Sequence, residues 1–248
     1  MIQNGYKEII GVKYSEIDQN EALKPYSLLN YLQDIASKNA EDCGFGYSFV
    51  HPKNYAWFLL KYKMEFINYP CGVQDLVLKT EPRGYNKLFA YRDFEIFSKD
   101  ILLGRVHSLW TLVDIDTRTI VPVQKVLEEN KLMKIFEKRN DDLSFSKISQ
   151  IASPCSKERF TVRYNDIDVN GHANNGNYIV WAFEPLSLDF RNSNRIKMID
   201  MVFKKEVKYG DVLFSEVEVK ENYKTLHRLY NMQNDDVCLL ECDWEPVL

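Results

Sequence analysis

No stretch of this chain stays apolar for long. Runs such as Trp57–Leu60 and Ile101–Leu103 stop far short of the ~20 residues that cross a bilayer. The opening Met1-Ile2-Gln3-Asn4-Gly5 lacks the basic and then apolar pattern of a secretory signal. These two absences predict a soluble, cytoplasmic protein with no membrane partner. Cysteine is scattered: Cys43, Cys71, Cys155, Cys238 and Cys242 form no CxxC pair, which argues against a disulfide framework or a zinc site. The histidines His51, His107, His172 and His227 are dispersed, with no HExxH, so no metal and no cofactor are expected. A basic excess is missing as well. The formal net charge is −4, which argues against a general nucleic-acid binder.

What is present is the balance of an ordinary globular protein, 45% hydrophobic and 27% charged over 248 residues. Disorder, collagen and coiled coil are excluded as the main description. At roughly 100–200 residues per domain, the length allows one large domain or two small ones. A repeat decides for two. Val12-Lys13-Tyr14-Ser15-Glu16-Ile17-Asp18-Gln19-Asn20 matches Val162-Arg163-Tyr164-Asn165-Asp166-Ile167-Asp168-Val169-Asn170, five of nine positions identical and three similar. Met64-Glu65-Phe66 answers Met201-Val202-Phe203, and Tyr85-Asn86-Lys87-Leu88 answers Tyr223-Lys224-Thr225-Leu226. The turn Ser98-Lys99-Asp100 answers Asn234-Asp235-Asp236. The order is kept while the offset drifts from 150 to 136 residues.

Each copy has the same predicted elements. A strand comes first, about 7–18 and 158–168, then a helix, then three or four strands with hairpin turns. In the first helix, Leu28, Leu32, Ile35, Ala36, Asn39, Ala40 and Cys43 recur at helical spacing. Ser27 suits its N-cap and Gly44 its C′ position. The second helix starts near Asn174 or Asn175, carries Tyr178, Ile179, Ala182 and Phe183, and stops near Pro185. Segments such as Leu76–Thr80, Tyr91–Phe97, Arg105–Asp114, Val212–Lys220 and Val237–Trp244 read as strands. One helix followed by an antiparallel sheet predicts α+β. The polar segment from Lys131 to Cys155 reads as a crossover that starts with a helix, and the predicted division is 1–135, a linker over 136–155, and 156–248.

The copies differ at two places. Asn20 is followed by Glu21-Ala22, whereas Asn170 is followed by Gly171-His172-Ala173-Asn174-Asn175. The position of Tyr69-Pro70 is taken by Glu206-Val207. The second copy thus carries a histidine, an amide-rich helix start and a carboxylate that the first lacks. Helix starts present unpaired N–H groups and partial positive charge, which can hold a developing oxyanion. His172 is placed to orient or deprotonate a water, with Asp168 to fix its orientation and Gly171 and Gly176 to let a ligand approach the backbone. Taken alone, the stretch fits a capped polar loop equally well, and Glu206 fits a solvated strand end.

At these residues the chain resembles the acyl-acyl-carrier-protein thioesterases of plants and bacteria. Asp168-Val169-Asn170-Gly171-His172-Ala173-Asn174-Asn175-Gly176-Asn177-Tyr178-Ile179-Val180-Trp181 is similar to the family's D-x-N-x-H-x-N-N-x-x-Y-x-x-W stretch. Trp57 to Pro70 and Gly104 to Arg118 resemble its blocks in the first half. The resemblance implies a tandem pair of hotdog folds, each a long helix wrapped by an antiparallel sheet. It also implies hydrolysis of fatty acyl thioesters on acyl carrier protein, which brings a phosphopantetheine arm. The family's catalytic Asp, Asn and His fall on Asp168, Asn170 and His172, and its Glu on Glu206. Where plant members have a Cys after that Glu, this chain has Val207. That departure favours attack by water activated through Glu206 and His172, with an attacking carboxylate as the alternative. Without a transit peptide, a bacterial cytoplasmic member is the simpler reading.

In this picture Asn170 and N–H groups at the substrate-binding Asn174 and Asn175 polarise the carbonyl. A basic rim for the acidic carrier has candidates in Lys131, Lys134, Lys138, Arg139, Lys204, Lys205 and Lys208. Rival readings are an acyl-CoA thioesterase, a hotdog dehydratase or a non-catalytic acyl-binding regulator. A monomer or a homodimer fits equally.

Overall fold

The computed structural model describes residues 5–132 and 145–247. The first half runs β1 (Tyr6–Gly11), α1 (Pro25–Asp42), a short α2 (Tyr47–Val50), β2 (Tyr55–Phe66), β3 (Asp75–Tyr85), β4 (Phe89–Ser98), β5 (Ile101–Asp114), β6 (Ile120–Val121) and α3 (Val123–Glu129). The second runs β7 (Ser156–Thr161), α4 (Asn175–Phe183), α5 (Leu188–Ser193), β8 (Asn194–Phe203), β9 (Val212–Lys220), β10 (Lys224–Asn231) and β11 (Asp236–Pro246). The start of the expected crossover helix, with Lys134, Lys138 and Arg139, lies outside the described residues.

One antiparallel sheet holds both halves, in the order β1-β3-β4-β5-β2-β8-β11-β10-β9-β7, with β6 on β5. That order is a palindrome of the duplication: each strand of the first half mirrors its counterpart in the second. The two counterparts β2 and β8 meet at the centre. There Lys61 faces Val202 and Glu65 faces Met198, symmetric about Lys63 opposite Asp200. The two-fold relation read from the sequence is therefore built into the strand register.

The sheet wraps α1 and α4, which pack on each other. Their buried faces follow the expected spacing: Leu28, Leu32, Ile35, Ala36 and Asn39 in α1, Tyr178, Ile179, Ala182 and Phe183 in α4. Leu32 and Ile35 are wholly buried, each contributing about 1.5–3 kcal/mol of apolar transfer. The strands alternate: β4 buries every second residue along most of its length, as a sheet with one face on a core must.

Three boundary expectations need correction. The helix α1 starts two residues before Ser27, with Lys24 as N-cap and Pro25 at its first position, where the missing N–H costs nothing. Gly44 does take the left-handed conformation after the helix, at φ 80. The first strand of each copy is shorter than predicted. In both, Tyr14–Glu16 and Tyr164–Asp166 form a 3-10 turn, because Glu16 and Asp166 fold back onto the backbone N–H of Lys13 and Arg163 at 2.7 and 2.8 Å. No helix among the described residues is long and apolar enough to cross a membrane.

Candidate active site

The loop before α4 is built the same way in both halves. Asp168 Oδ1 accepts the N–H of Asn170 at 2.8 Å and, at 3.5 Å, that of His172. Asp18 Oδ1 accepts the N–H of Asn20 and Ala22, both at 2.9 Å. The turn closes with Gly171 at φ 77 and Glu21 at φ 59. Ala173 N–H then donates to Val207 O at 2.8 Å, as Leu23 N–H donates to Pro70 O at 2.9 Å. This register makes His172 the counterpart of Ala22 and Glu206 the counterpart of Tyr69. In the first half, Tyr69 is buried and its hydroxyl donates to Leu23 O at 2.8 Å.

In the second half the two polar replacements meet. His172 Nδ1 lies 3.3 Å from Glu206 Oε1. The histidine side chain is 17% exposed and the carboxylate 32%, so water reaches both. Tyr178 steadies the strand end beneath them, its hydroxyl donating to Lys205 O at 3.3 Å. Burial pushes the Tyr178 phenol far up, so it acts as a brace rather than a proton carrier. Val207 is buried.

A cavity of about 710 Å³ opens at this pair. Its walls include Asp168, Asn170, His172, Asn175 and Glu206, and on α1 the face of Gln33, Ala36 and Ala40. Small side chains at Ala36 and Ala40 leave room along the helix. Arg92, almost wholly buried, closes part of the wall in the first half, with Nη1 donating to Asn39 Oδ1 at 2.7 Å and Thr80 Oγ1 at 3.1 Å. Burial pulls its guanidinium down to about 10.

The two amides of the helix start separate. Asn175 lines the cavity and reaches Gln33 Oε1 at 3.4 Å. Asn174 is the N-cap: its Oδ1 accepts the N–H of Gly176 at 2.7 Å, and its own N–H donates to Asp166 O at 2.8 Å. The N–H of Asn174 is thus engaged by the fold. The glycines also differ from expectation. A Cβ at Gly171 would meet nothing within 4 Å, whereas one at Gly176 would lie 3.0 Å from Tyr26 Cδ2 and 3.1 Å from Asn30 Oδ1. Gly171 serves the turn, and Gly176 serves the approach of α4 to α1 rather than that of a ligand.

Arg118 of the first half joins the site; its stretch resembles a family block, but Arg118 is not among the expected site residues. Its Nη1 lies 3.1 Å from Glu206 Oε2 and its Nη2 3.1 Å from His172 Nε2. Two of the expected rim lysines are already paired, Lys204 with Asp236 at 3.1 Å and Lys205 with Asp235 at 2.7 Å. Among the described residues no group of three or more His, Cys, Asp or Glu is placed to hold a metal ion.

Residues 3–130 match the acyl-ACP thioesterase N-terminal domain and residues 150–246 its C-terminal domain. The chain belongs to the acyl-ACP thioesterase family. It is 24% identical over 226 residues to an oleoyl-acyl carrier protein thioesterase of Coriandrum sativum, covering 85% of this chain and 61% of that protein. An Arabidopsis thaliana oleoyl-acyl carrier protein thioesterase is 22% identical, over 85% of this chain and 62% of the relative. The chain thus spans about three fifths of the length of these curated relatives. Among solved structures, the acyl-ACP thioesterase of Bacteroides thetaiotaomicron superposes with a TM-score of 0.86 at 22% identity, over 98% of both chains. The 12:0-ACP thioesterase of Umbellularia californica gives 0.88 at 18% identity, over 100% of this chain and 99% of the other. The fold is the family's tandem hotdog.

Proposed function

We propose that this chain hydrolyses fatty acyl thioesters borne on acyl carrier protein, releasing free fatty acid and so ending chain elongation. The observation that carries this reading is the cavity along α1 that ends at the His172–Glu206 pair. An apolar chain lies against Ala36 and Ala40, and its thioester reaches the start of α4. Family membership supports the substrate class.

Glu206, held by His172, takes the proton of an attacking water. Asn170 and the helix-start N–H of Asn175 polarise the thioester carbonyl and hold the oxyanion that forms, in the positive field of the helix start. Collapse of the tetrahedral intermediate expels a thiolate of pKa ~8.5, which needs no strong general acid. Asp168 shapes the loop through its hydrogen bonds; the same turn at Asp18, in the half without a histidine, supports that division of labour. Residues 1–135 and 156–248 form the two hotdog domains, joined through 136–155. Their pairing supplies within one chain the interface that single hotdog domains make by dimerising, so a monomer suffices.

His172→Ala and Glu206→Gln, assayed on carrier-linked and CoA-linked acyl thioesters, test the reading. Each is expected to lose about 10²–10⁴-fold in kcat, with the carrier-linked thioester the better substrate of the parent enzyme. Near-parental turnover by either folded variant overturns the assignment. Faster turnover on CoA thioesters moves the enzyme to the acyl-CoA class.

A further inference from the structure

Arg118 reaches the site from the first half through a rigid turn. Asp114 Oδ1 accepts the N–H of Asp116 at 3.1 Å and of Thr117 at 2.9 Å. Arg118 N–H donates back to Asp114 O at 2.9 Å, and Ile115 N–H to Asn54 O at 2.9 Å. Arg118 itself sits at φ 57, a left-handed conformation that a non-glycine residue adopts only when its surroundings hold it there. The backbone thus aims the side chain across the boundary between the halves.

A guanidinium has only donors. With Arg118 Nη2 at 3.1 Å from His172 Nε2, that ring nitrogen must accept, so the ring proton sits on Nδ1. Nδ1 faces Glu206 Oε1 at 3.3 Å, while Arg118 Nη1 faces the other oxygen, Oε2, at 3.1 Å. Three side chains form a closed triangle in which each contact fixes the next. The carboxylate has a second lone pair on each oxygen, so it still has room to accept a water.

We propose that Arg118 is a positioning residue for this reaction: it selects the Nδ1-protonated form of His172 and locks the carboxylate plane of Glu206. The active site is then composite, with its reacting groups from the second half and their alignment from the first. The proposal rests on the thioesterase reading for its kinetic consequence but not for its geometry. A planar two-pronged donor is required, because lysine offers a single ammonium that cannot span both partners. The Arg118–Glu206 contact is partly exposed, 42% and 32%, so it adds little to stability.

The test pairs kinetics with spectroscopy on Arg118→Ala and Arg118→Lys. Both are expected to lower kcat about 10–100-fold, the scale of losing a partner that orients a reacting group, with KM within about threefold and the melting temperature little changed. Nitrogen NMR of ring-labelled protein should show His172 as the Nδ1–H tautomer in the parent and as a mixture in both variants. An unchanged tautomer, or parental kcat, overturns the proposal. So does a raised KM at parental kcat, which would make Arg118 a contact for the carrier. The two readings fail separately: a parent that hydrolyses no acyl thioester sinks the thioesterase reading, while the tautomer measurement still judges Arg118.

Discussion

Asp168 offers the sharpest discrimination between a structural and a chemical carboxylate, because the molecule contains its own control. Asp18 makes the same turn in a half that has Ala22 instead of His172. Asp18 holds two good bonds, both 2.9 Å; Asp168 holds one of 2.8 Å and two weak ones of 3.5 Å, from the His172 N–H and the Asn170 side-chain amide. At about 0.5–1.5 kcal/mol net per bond, Asp18→Ala should destabilise by about 1–3 kcal/mol and Asp168→Ala by about 1 kcal/mol. Activity should run the other way. Asp18→Ala leaves kcat at the parental level, while Asp168→Ala lets the His172 loop wander and lowers kcat roughly 100-fold, the scale on which misplacing a catalytic group costs rate. The deciding variant is Asp168→Asn. Its amide oxygen still accepts both N–H groups, so it should keep kcat within about threefold. Urea unfolding and steady-state hydrolysis of carrier-linked thioesters measure the two effects. A folded but inactive Asp168→Asn enzyme would refute the reasoning and make this carboxylate the attacking group.

Two further outcomes follow from the core and the cavity. Buried His227 sits with Nδ1 2.7 Å from Ala182 O and Nε2 2.8 Å from Thr225 Oγ1, and burial pulls its imidazole down to about 4. Since the unfolded chain protonates near 6.5 and the folded one resists until about 4, stability is full above pH 6.5 and is lost as pH falls toward 4. The loss is about 2 kcal/mol at pH 5. Urea unfolding at pH 7 and pH 5 checks it, and a His227→Gln variant that keeps the same decline would assign it elsewhere. Along α1, Gln33 and Ala40 are separated by about 10 Å of helical rise, so Ala40→Leu should narrow the cavity and shift products to shorter acyl chains. Mass spectrometry of products from a mixed acyl carrier protein pool reads the shift, and an unaltered distribution would mean the acyl chain lies elsewhere.

What could be read from the chain alone was what is encoded locally or twice. The α1 face, the α4 start at Asn174 and the left-handed turns at Lys99 and Asn234 depend on neighbours a few residues away. The duplication was legible because Asp18 and Asp168 impose the same turn on the same short motif, and the mirrored sheet order follows from repeating one unit. Glu206 could be singled out only by contrast with Tyr69. Arg118 was not, although its stretch resembles a family block, since its partner His172 is 54 residues away in sequence and lies in the other half. The purpose of Gly176 was hidden for the same reason: the atoms that exclude a side chain there belong to Tyr26 and Asn30 of the other half.

This asymmetry also explains why the first half persists without polar machinery of its own. At its equivalent of the site, Ala22 supplies no titratable group, and Tyr69 fills the place of the carboxylate with a buried ring bonded to Leu23 O. The strand order and turns are shared by both halves, which meet at the central β2–β8 pairing. What the first half adds is a wall of small residues on α1 and one cation at the end of a rigid hairpin. On the proposed reading each copy has specialised, one for enclosing the substrate and aiming the reacting groups, the other for carrying them. Neither half has the full set: the proposed reacting groups sit in the second, and the Arg118 contacts that hold them come from the first.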